Sequence, residues 1–390
     1  MAKSTYDSRR RKYKRPFRLF EILTVILAAL VVMCAYAGKI DPRSFVGGPF
    51  MALAFMPLLI FSLLWLLLAL VKKRWIAAAT VVLAILFSVP IIKLFVPMNS
   101  AENAPPSPAD PSNMIRVMTY NVLAFNYNDH ELSSKPCESM KLILDANPDV
   151  VLMQEGTASG MDWYEMPSLA SFQQEIISRY PYRYNSSEGL SIMSRYPVET
   201  QPLGEPQQAR SPLGYNRNNT SYLARAYDLQ LPSGKQLRLV DFRFQSYHLS
   251  FGKSMNVRVS PDVKLSALER MRRSFALRCD NAAEVRKAID ESPANVIVCG
   301  DMNDITASHV YRVISGDDLH DAWAEVGSGY AYTFNKHNLY YRIDHVFYRG
   351  ALRALDAVRI QGGTSDHYPI MVTFDMDVKT SKEMITTIFF

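Results

Sequence analysis

The chain has 390 residues, 43 Lys and Arg against 37 Asp and Glu, and a formal net charge of +6. That balance alone would suggest a nucleic-acid binder, but the charge is unevenly placed. Residues 1–97 carry 14 Lys or Arg and 3 Asp or Glu, whereas residues 98–390 carry 29 and 34, so the larger part lacks the basic excess that nonspecific phosphate-backbone binding requires.

A basic arm comes first, with Arg9, Arg10, Arg11, Lys12, Lys14, Arg15 and Arg18. Three apolar runs follow, at 22–37, at 50–71 without a charge, and from Trp75 to about Pro97 with Pro90 and Lys93 near its end. Each run approaches the ~20 residues that span hydrocarbon, so residues 1–97 read as a cytoplasmic arm and three transmembrane helices, and residues 20–97 take the lipid bilayer as their partner. The arm and the Lys72–Lys73–Arg74 turn are the strongly basic connections and should stay cytoplasmic, which puts residues 98–390 on the periplasmic or extracellular side of a cytoplasmic membrane. Ala35-Tyr36-Ala37 also resembles a signal-peptidase site; cleavage there would leave two spans and the same outer placement. No span holds an internal cluster of ionisable residues, which argues against transport.

Residues 98–113, MNSAENAPPSPADPSN, are rich in proline and have no apolar period, so they read as an extended linker. Residues 114–390 suffice for one large α/β domain. Cys34, Cys137, Cys279 and Cys299 form no metal-ligand spacing, and a Cys137–Cys279 disulfide would suit an oxidising exterior, although sequence carries no information on their proximity.

Within this domain short apolar runs stop at polar residues. MIRVMTYN ends at Asn121, and DVVLMQE ends at Glu155 after a helix-like ESMKLILDA and an Asn147-Pro148 turn. GLSIMSRYP, SYLARAYDL and KQLRLVDFRFQS read as further strands, the last two joined by a Pro232-Ser233-Gly234 turn. An amphipathic stretch over roughly 263–291 predicts helix, possible in two pieces broken around Cys279–Asn281. NVIVCGDMND brings Asp301 and Asn303 to a strand end, and RIDHVFY and SDHYPIMVTF carry Arg342, Asp344, Asp366 and His367. Strands mixed with helices predict a layered α/β sandwich.

Taken singly, these residues are ordinary loop and turn chemistry. Together, Asn121, Glu155, Asp301, Asn303, Asp344 and Asp366 offer hard oxygen ligands suited to Mg²⁺ or Mn²⁺, and His367 offers a group that titrates near neutrality. Such a set can orient a phosphate ester and handle the proton of an attacking water.

Six segments in this order, TYNV at 119–122, PDVVLMQE at 148–155, GLSIMSRYP at 189–197, GDMND at 300–304, RIDHVF at 342–347 and SDHYP at 365–369, resemble the endonuclease/exonuclease/phosphatase superfamily, the deoxyribonuclease-I-like fold. The resemblance covers nearly all of residues 114–376. It implies a two-sheet β-sandwich flanked by helices, here preceded by the three transmembrane helices. It implies Glu155 as principal metal ligand, Asn121 beside it, Asp301 and Asn303 orienting the attacking water, Asp366 as a second metal or phosphate residue, and His367 oriented by Asp344. Whether Asp301 or His367 is the base, and whether one metal or two bind, stays open. Tyr120, Ser365 and Arg342 read equally well as supporting or as purely structural residues.

One strand departs from the family pattern, Gly-x-x-apolar-x-apolar-apolar-Asn-x-His-Leu-x-Ser. Laid on GKQLRLVDFRFQS with Gly234 and Ser246 fixing the register, Asp241 takes the asparagine position and Arg243 the histidine position, while His248 falls beyond the strand. Arginine stays protonated and cannot relay a proton, but its guanidinium fork binds phosphoryl oxygens. The expectation is a membrane-anchored, Mg²⁺- or Mn²⁺-dependent phosphoesterase, whether phosphodiesterase, nuclease or phosphatase, acting on a nucleic acid, phospholipid or small ester with no protein partner. The alternative is a non-catalytic phosphate-binding or scaffold protein that kept the metal site and lost turnover through Arg243.

Overall fold

The computed structural model describes residues 15–99, 105, 110–126, 129, 131–156, 166–186, 188–204, 207–210, 216–221, 223–246, 267–336 and 340–376. The chain divides into two units, one of Met1–Leu94 with Ala307–His309 and one of Phe95–Thr306 with Val310–Phe390.

The first unit contains α1 (Arg15–Ala35), α2 (Gly47–Val71) and α3 (Trp75–Phe95). Trp65 of α2 stacks on Phe20 of α1 at 4.8 Å, and its indole N–H donates to Thr24 Oγ1 at 2.9 Å. The Arg74 guanidinium lies 5.6 Å above the Phe20 ring and 3.6 Å from Glu21. The start of α1 is thus level with the Lys72–Arg74 turn, so α1 and α2 run antiparallel. Among the described residues two helices, not the three expected, are long and apolar enough to cross a membrane: α2, with mean hydropathy 2.6, and α3, with 2.5. The apolar part of α1 covers only Leu19–Ala35, which at about 1.5 Å per residue falls short of the ~30 Å hydrocarbon layer.

In the second unit, strand alternation decides which side chains meet. The strands are β1 (Met114–Asn121), β2 (Val150–Gln154), β3 (Tyr182–Asn185), β4 (Ser191–Ser194), β5 (Val198–Leu203), β6 (Gln207–Arg210), β7 (Asn216–Ser221), β8 (Ala224–Gln230), β9 (Gln236–Arg243), β10 (Val296–Asp301), β11 (His320–Asp321), β12 (Asp344–Arg349), β13 (Arg353–Arg359) and β14 (Ile370–Asp375). The helices are α4 (Glu138–Ala146), α5 (Gln173–Arg179), α6 (Ala267–Asp290), α7 (His309–Ser315) and α8 (Ala322–Val326). Two mixed sheets of six strands form, in the orders β13-β14-β1-β2-β4-β3 and β11-β12-β10-β9-β8-β5, and β6 pairs with β7 as a separate ribbon. This is the two-sheet α/β architecture expected from the sequence.

Ile115 and Val117 of β1, Val150 and Leu152 of β2, Leu237 and Leu239 of β9, and Ile297 and Cys299 of β10 share the core between the sheets. The alternate residues of the first sheet, Met118, Tyr120, Val151 and Met153, face outward onto Met140, Ile143 and Leu144 of α4 and Ile176 of α5. The alternation required for a half-buried strand therefore serves two cores at once.

Two expectations need correction. The amphipathic stretch forms one continuous helix, α6, unbroken at Cys279–Asn281, because Phe275, Cys279, Ala282, Val285 and Ile289 make one buried stripe at helical spacing. Cys137 and Cys279 remain thiols, not joined in a disulfide. Cys137 belongs to the cluster outside the first sheet, whereas α6 is tied to the end of β9 through Arg278, which donates to the Gln245 carbonyl at 3.1 Å.

Arg342 has a structural role. It is buried and donates to both oxygens of buried Asp321, at 3.0 and 2.8 Å, and Tyr311 donates to the same carboxylate at 2.8 Å. Asp321→Ala would strand the Arg342 charge and is expected to cost about 3–5 kcal/mol of stability, read as a fall in the denaturant midpoint of the full chain in detergent. The paired change Asp321→Leu with Arg342→Met should recover only part of that loss, because Tyr311 and the Trp323 and Ala324 amides still lose their acceptor, and a double variant no more stable than Asp321→Ala would contradict this account.

Candidate active site

On the four central strands the inward-facing row changes from apolar to polar toward the carboxyl end. Ile115 and Val117 give way to Thr119 and Asn121, Val150 and Leu152 to Gln154, Leu237 and Leu239 to Asp241 and Arg243, and Ile297 and Cys299 to Asp301. β1 and β2 are parallel, as are β9 and β10, and their polar ends meet across the gap between the sheets. The core thus opens at one edge into a group of hydrogen-bonded polar side chains.

Asn121 joins the two sheets. Its amide nitrogen donates to Glu155 Oε1 at 3.1 Å and to Asp301 Oδ2 at 3.0 Å, while its carbonyl oxygen accepts from the Leu123 N–H at 3.2 Å. Glu155 follows β2 in a left-handed conformation, φ 52°, with Gly189 packed so closely that a Cβ there would come within 3.3 Å of the Glu155 Cα. Arg243 stands beside Asp301 in the parallel ladder, and its Nη2 lies 2.6 Å from Glu155 Oε1. Asn303, also left-handed at φ 50°, donates from its backbone to Asp301 Oδ1 at 2.8 Å and from its side chain to Asp301 Oδ2 and the Phe244 carbonyl, both at 3.0 Å.

His367 and Asp344 form a buried pair, with Nδ1 of the imidazole 2.8 Å from Asp344 Oδ2. Thr333 Oγ1 accepts from the backbone N–H groups of Ile343 and Asp344 at 3.0 and 3.1 Å, which fixes the start of β12. Ser365 accepts from the His367 N–H at 3.1 Å and donates to the Asn121 carbonyl at 2.6 Å, tying the histidine loop to β1. Phe334 presents its ring to the imidazole at 5.4 Å. Tyr120 faces the other way and donates to Ser139 at 3.0 Å.

Charges set the protonation of these groups. Burial raises the Asp301 carboxyl to about 6, opposed by His367 and Arg243 and assisted by Asp344. Burial alone would lower His367, yet the charge of Asp344, then of Asp301, the hydrogen bond to Asp344 and the charge of Asp366 carry it up to about 10. Burial also raises Glu155, but the Arg243 guanidinium, the Asn121 amide and His367 outweigh it and hold the carboxyl below its ordinary range.

The site therefore brings together Asn121, Glu155, Arg243, Asp301, Asn303, Asp344 and His367. Asp366 is placed differently: its carboxylate lies 3.3 Å from Lys336 Nζ. Ligand atoms of Asp301, Asp344 and His367 lie within 4.8 Å of one another, and Asp344 Oδ1 is buried without a hydrogen-bond partner. The two carboxylates, one with an unsatisfied buried oxygen, fit a divalent cation, and the protonated His367 stands beside them as a donor. That group differs from the set implied by the family resemblance, Glu155, Asn121 and Asp366. His248 lies outside the described residues.

Sequence reasoning placed Asp241 at the family's asparagine position but passed over Gln154 and Thr119, its partners in the polar row beneath the site. Gln154 donates to Asp241 Oδ1 at 2.6 Å and to Thr119 at 3.1 Å, linking the sheets one layer below Glu155 and Arg243. Burial pushes the Asp241 carboxyl well up. The signal was available, since Gln154 and Asp241 sit one and two residues from Glu155 and Arg243. Thr333 and Phe334 carried none, because their role comes from an isolated pairing of Phe334 with His367.

Residues 118–367 match the family described as Endonuclease/Exonuclease/phosphatase family, and residues 17–95 match a domain of unknown function. No curated protein matches the chain. Among solved structures, an endonuclease/exonuclease/phosphatase family protein from Bacteroides thetaiotaomicron is 13% identical, with TM-score 0.45 over 68% of this chain and 99% of that one. Humanized D. rerio TDP2 is 18% identical, with TM-score 0.44 over 67% and 99%. Sphingomyelinase C from Streptomyces griseocarneus is 16% identical, with TM-score 0.43 over 67% and 99%.

Gly300 precedes Asp301 and lies opposite Phe242 in the β9–β10 ladder. A Cβ on Gly300, φ +148°, would lie 2.0 Å from the Phe242 carbonyl oxygen. Gly300→Ala should force the strands apart and cost roughly 1–3 kcal/mol or more, seen as a lower unfolding temperature of the full chain in detergent. An unchanged temperature would mean that the strands yield there freely.

Proposed function

Since this chain belongs to the endonuclease/exonuclease/phosphatase family, we propose that it is a membrane-anchored, divalent-metal-dependent phosphoesterase acting at the outer face of a cytoplasmic membrane. The observation that carries the reading is the Asp344–His367 pair, 2.8 Å apart, set against Asp301 in a group of ligand atoms within 4.8 Å of one another. Mg²⁺ or Mn²⁺ held by the carboxylate oxygens of Asp301 and Asp344, with Glu155 nearby as a further oxygen ligand, would neutralise and orient the phosphoryl group.

The proton chemistry follows from two groups whose environments push them apart. Asp301, raised to about 6, is ionised at neutral pH and oriented by Asn121 and Asn303, which suits a base that takes a proton from water. His367, raised to about 10, keeps its proton and is held through Nδ1 by Asp344, which leaves Nε2 to donate to a phosphoryl or leaving-group oxygen. Arg243 provides a guanidinium for phosphoryl oxygens where the family commonly has histidine.

The location rests on charge and parity. α3 is a single long apolar helix after the Lys72–Lys73–Arg74 turn, so a cytoplasmic turn puts residues 98–390 on the outer side whether or not α1 also crosses. Exposed Leu63, Leu64 and Leu67 on α2 and Ile76, Leu86 and Phe87 on α3 suit contact with lipid. A membrane-held domain with excess acid favours an ester presented at the bilayer over bulk nucleic acid.

Purified full chain in detergent, given Mg²⁺ or Mn²⁺, is expected to hydrolyse at least one of DNA, RNA, phospholipid or a chromogenic phosphodiester above a Glu155→Gln control. No hydrolysis on any of them would leave the non-catalytic binding reading. On an accepted substrate, His367→Ala should lower the rate by about 10²–10⁴. The pH profile of kcat/KM should rise through about pH 6 as Asp301 ionises and fall through about pH 10 as His367 loses its proton. A profile flat through the acid limb would exclude Asp301 as the base.

A further inference from the structure

Glu155 is not simply an open metal ligand. Arg243 Nη2, at 2.6 Å, and Asn121 Nδ2, at 3.1 Å, both donate to its Oε1. Arg243 is also the ladder neighbour of Asp301 in β9–β10, and its Nε is buried with no hydrogen-bond partner. A guanidinium carries its charge at every working pH, so this cation is permanent. It rests on the carboxylate that the family pattern assigns to the metal.

We propose that Arg243 is a resident competitor for the divalent cation at Glu155. While the pair is formed, Glu155 can offer only Oε2, and an incoming ion must bind against the guanidinium charge or displace it from Oε1. The Glu155–Arg243 contact and full coordination by Glu155 are mutually exclusive. The chain therefore holds its metal more weakly than its set of oxygen ligands would allow without Arg243. This inference rests on the metal-dependent reading of the site.

The test is isothermal titration of Mn²⁺ into the full chain in detergent micelles, with thermal unfolding of each variant as the check on folding. Arg243→Met should bind Mn²⁺ about tenfold or more tightly than the unaltered chain. Arg243→Gln gives the same comparison if the methionine variant does not fold. Lys336→Met removes another cation near the site, the partner of Asp366 at 3.3 Å, and should change the affinity less than about threefold. Equal or weaker binding by the Arg243 variants overturns the proposal, and so does an equal gain from Lys336→Met, because the effect would then be general charge and not competition at Glu155. No Mn²⁺ binding by any of these chains would remove the metal reading of the site, and this inference with it.

Discussion

Carboxylates crowd together where the two sheets open, and the surrounding structure has to keep them there. Glu155, Asp301 and Asp344 converge on one edge, and like charges held this closely repel unless donors and cations intervene. Asn121 spans two of them with one amide group, Arg243 neutralises one, and His367 is drawn to the other two. Each donor comes from a different segment: the end of β1, the end of β9 and the loop before β14. The site is thus a cross-link between sheets as much as a place for chemistry.

This constraint explains the supporting hydrogen bonds. Ser365 fastens the histidine loop to the Asn121 carbonyl, Thr333 fixes the backbone at Asp344, and Asn303 closes a short loop back onto Asp301. None of these groups needs to touch a substrate. They remove rotational freedom from the residues that would, which is how a fold preorganises charge before a reaction begins. The Gln154–Asp241 bond does the same one layer deeper, where burial pushes the Asp241 carboxyl up toward its neutral form.

Much of this could be read from the chain, and the limits are physical. Strand ends at Asn121 and Asp301 were visible because apolar alternation stops there, and Arg243 fell on the inner row once Gly234 and Ser246 fixed the register. Edge strands such as β5 and β13 were not legible, because Val198–Leu203 and Arg353–Arg359 are half-exposed and lack a strong apolar period. α1 looked like a full span because residues 22–37 form an uncharged apolar run, yet the helix ends at Ala35 and its apolar part, Leu19–Ala35, is too short to cross. Asp366 was assigned by the family resemblance as a second metal or phosphate residue, and its pairing with Lys336 at 3.3 Å had no sequence signal, because the two are 30 residues apart.

The change from apolar to polar along each inner row also bears on how such a domain diversifies. The first inward residues of β1, β2, β9 and β10 hold the core, and the last ones hold the chemistry. Substitution at the final inward position of one strand, as with Arg243, alters the charge at the mouth while the packed layers behind it stay filled. Core and chemistry can then drift at different rates along the same strand, and a lineage could exchange one reaction for another without first having to evolve a new fold.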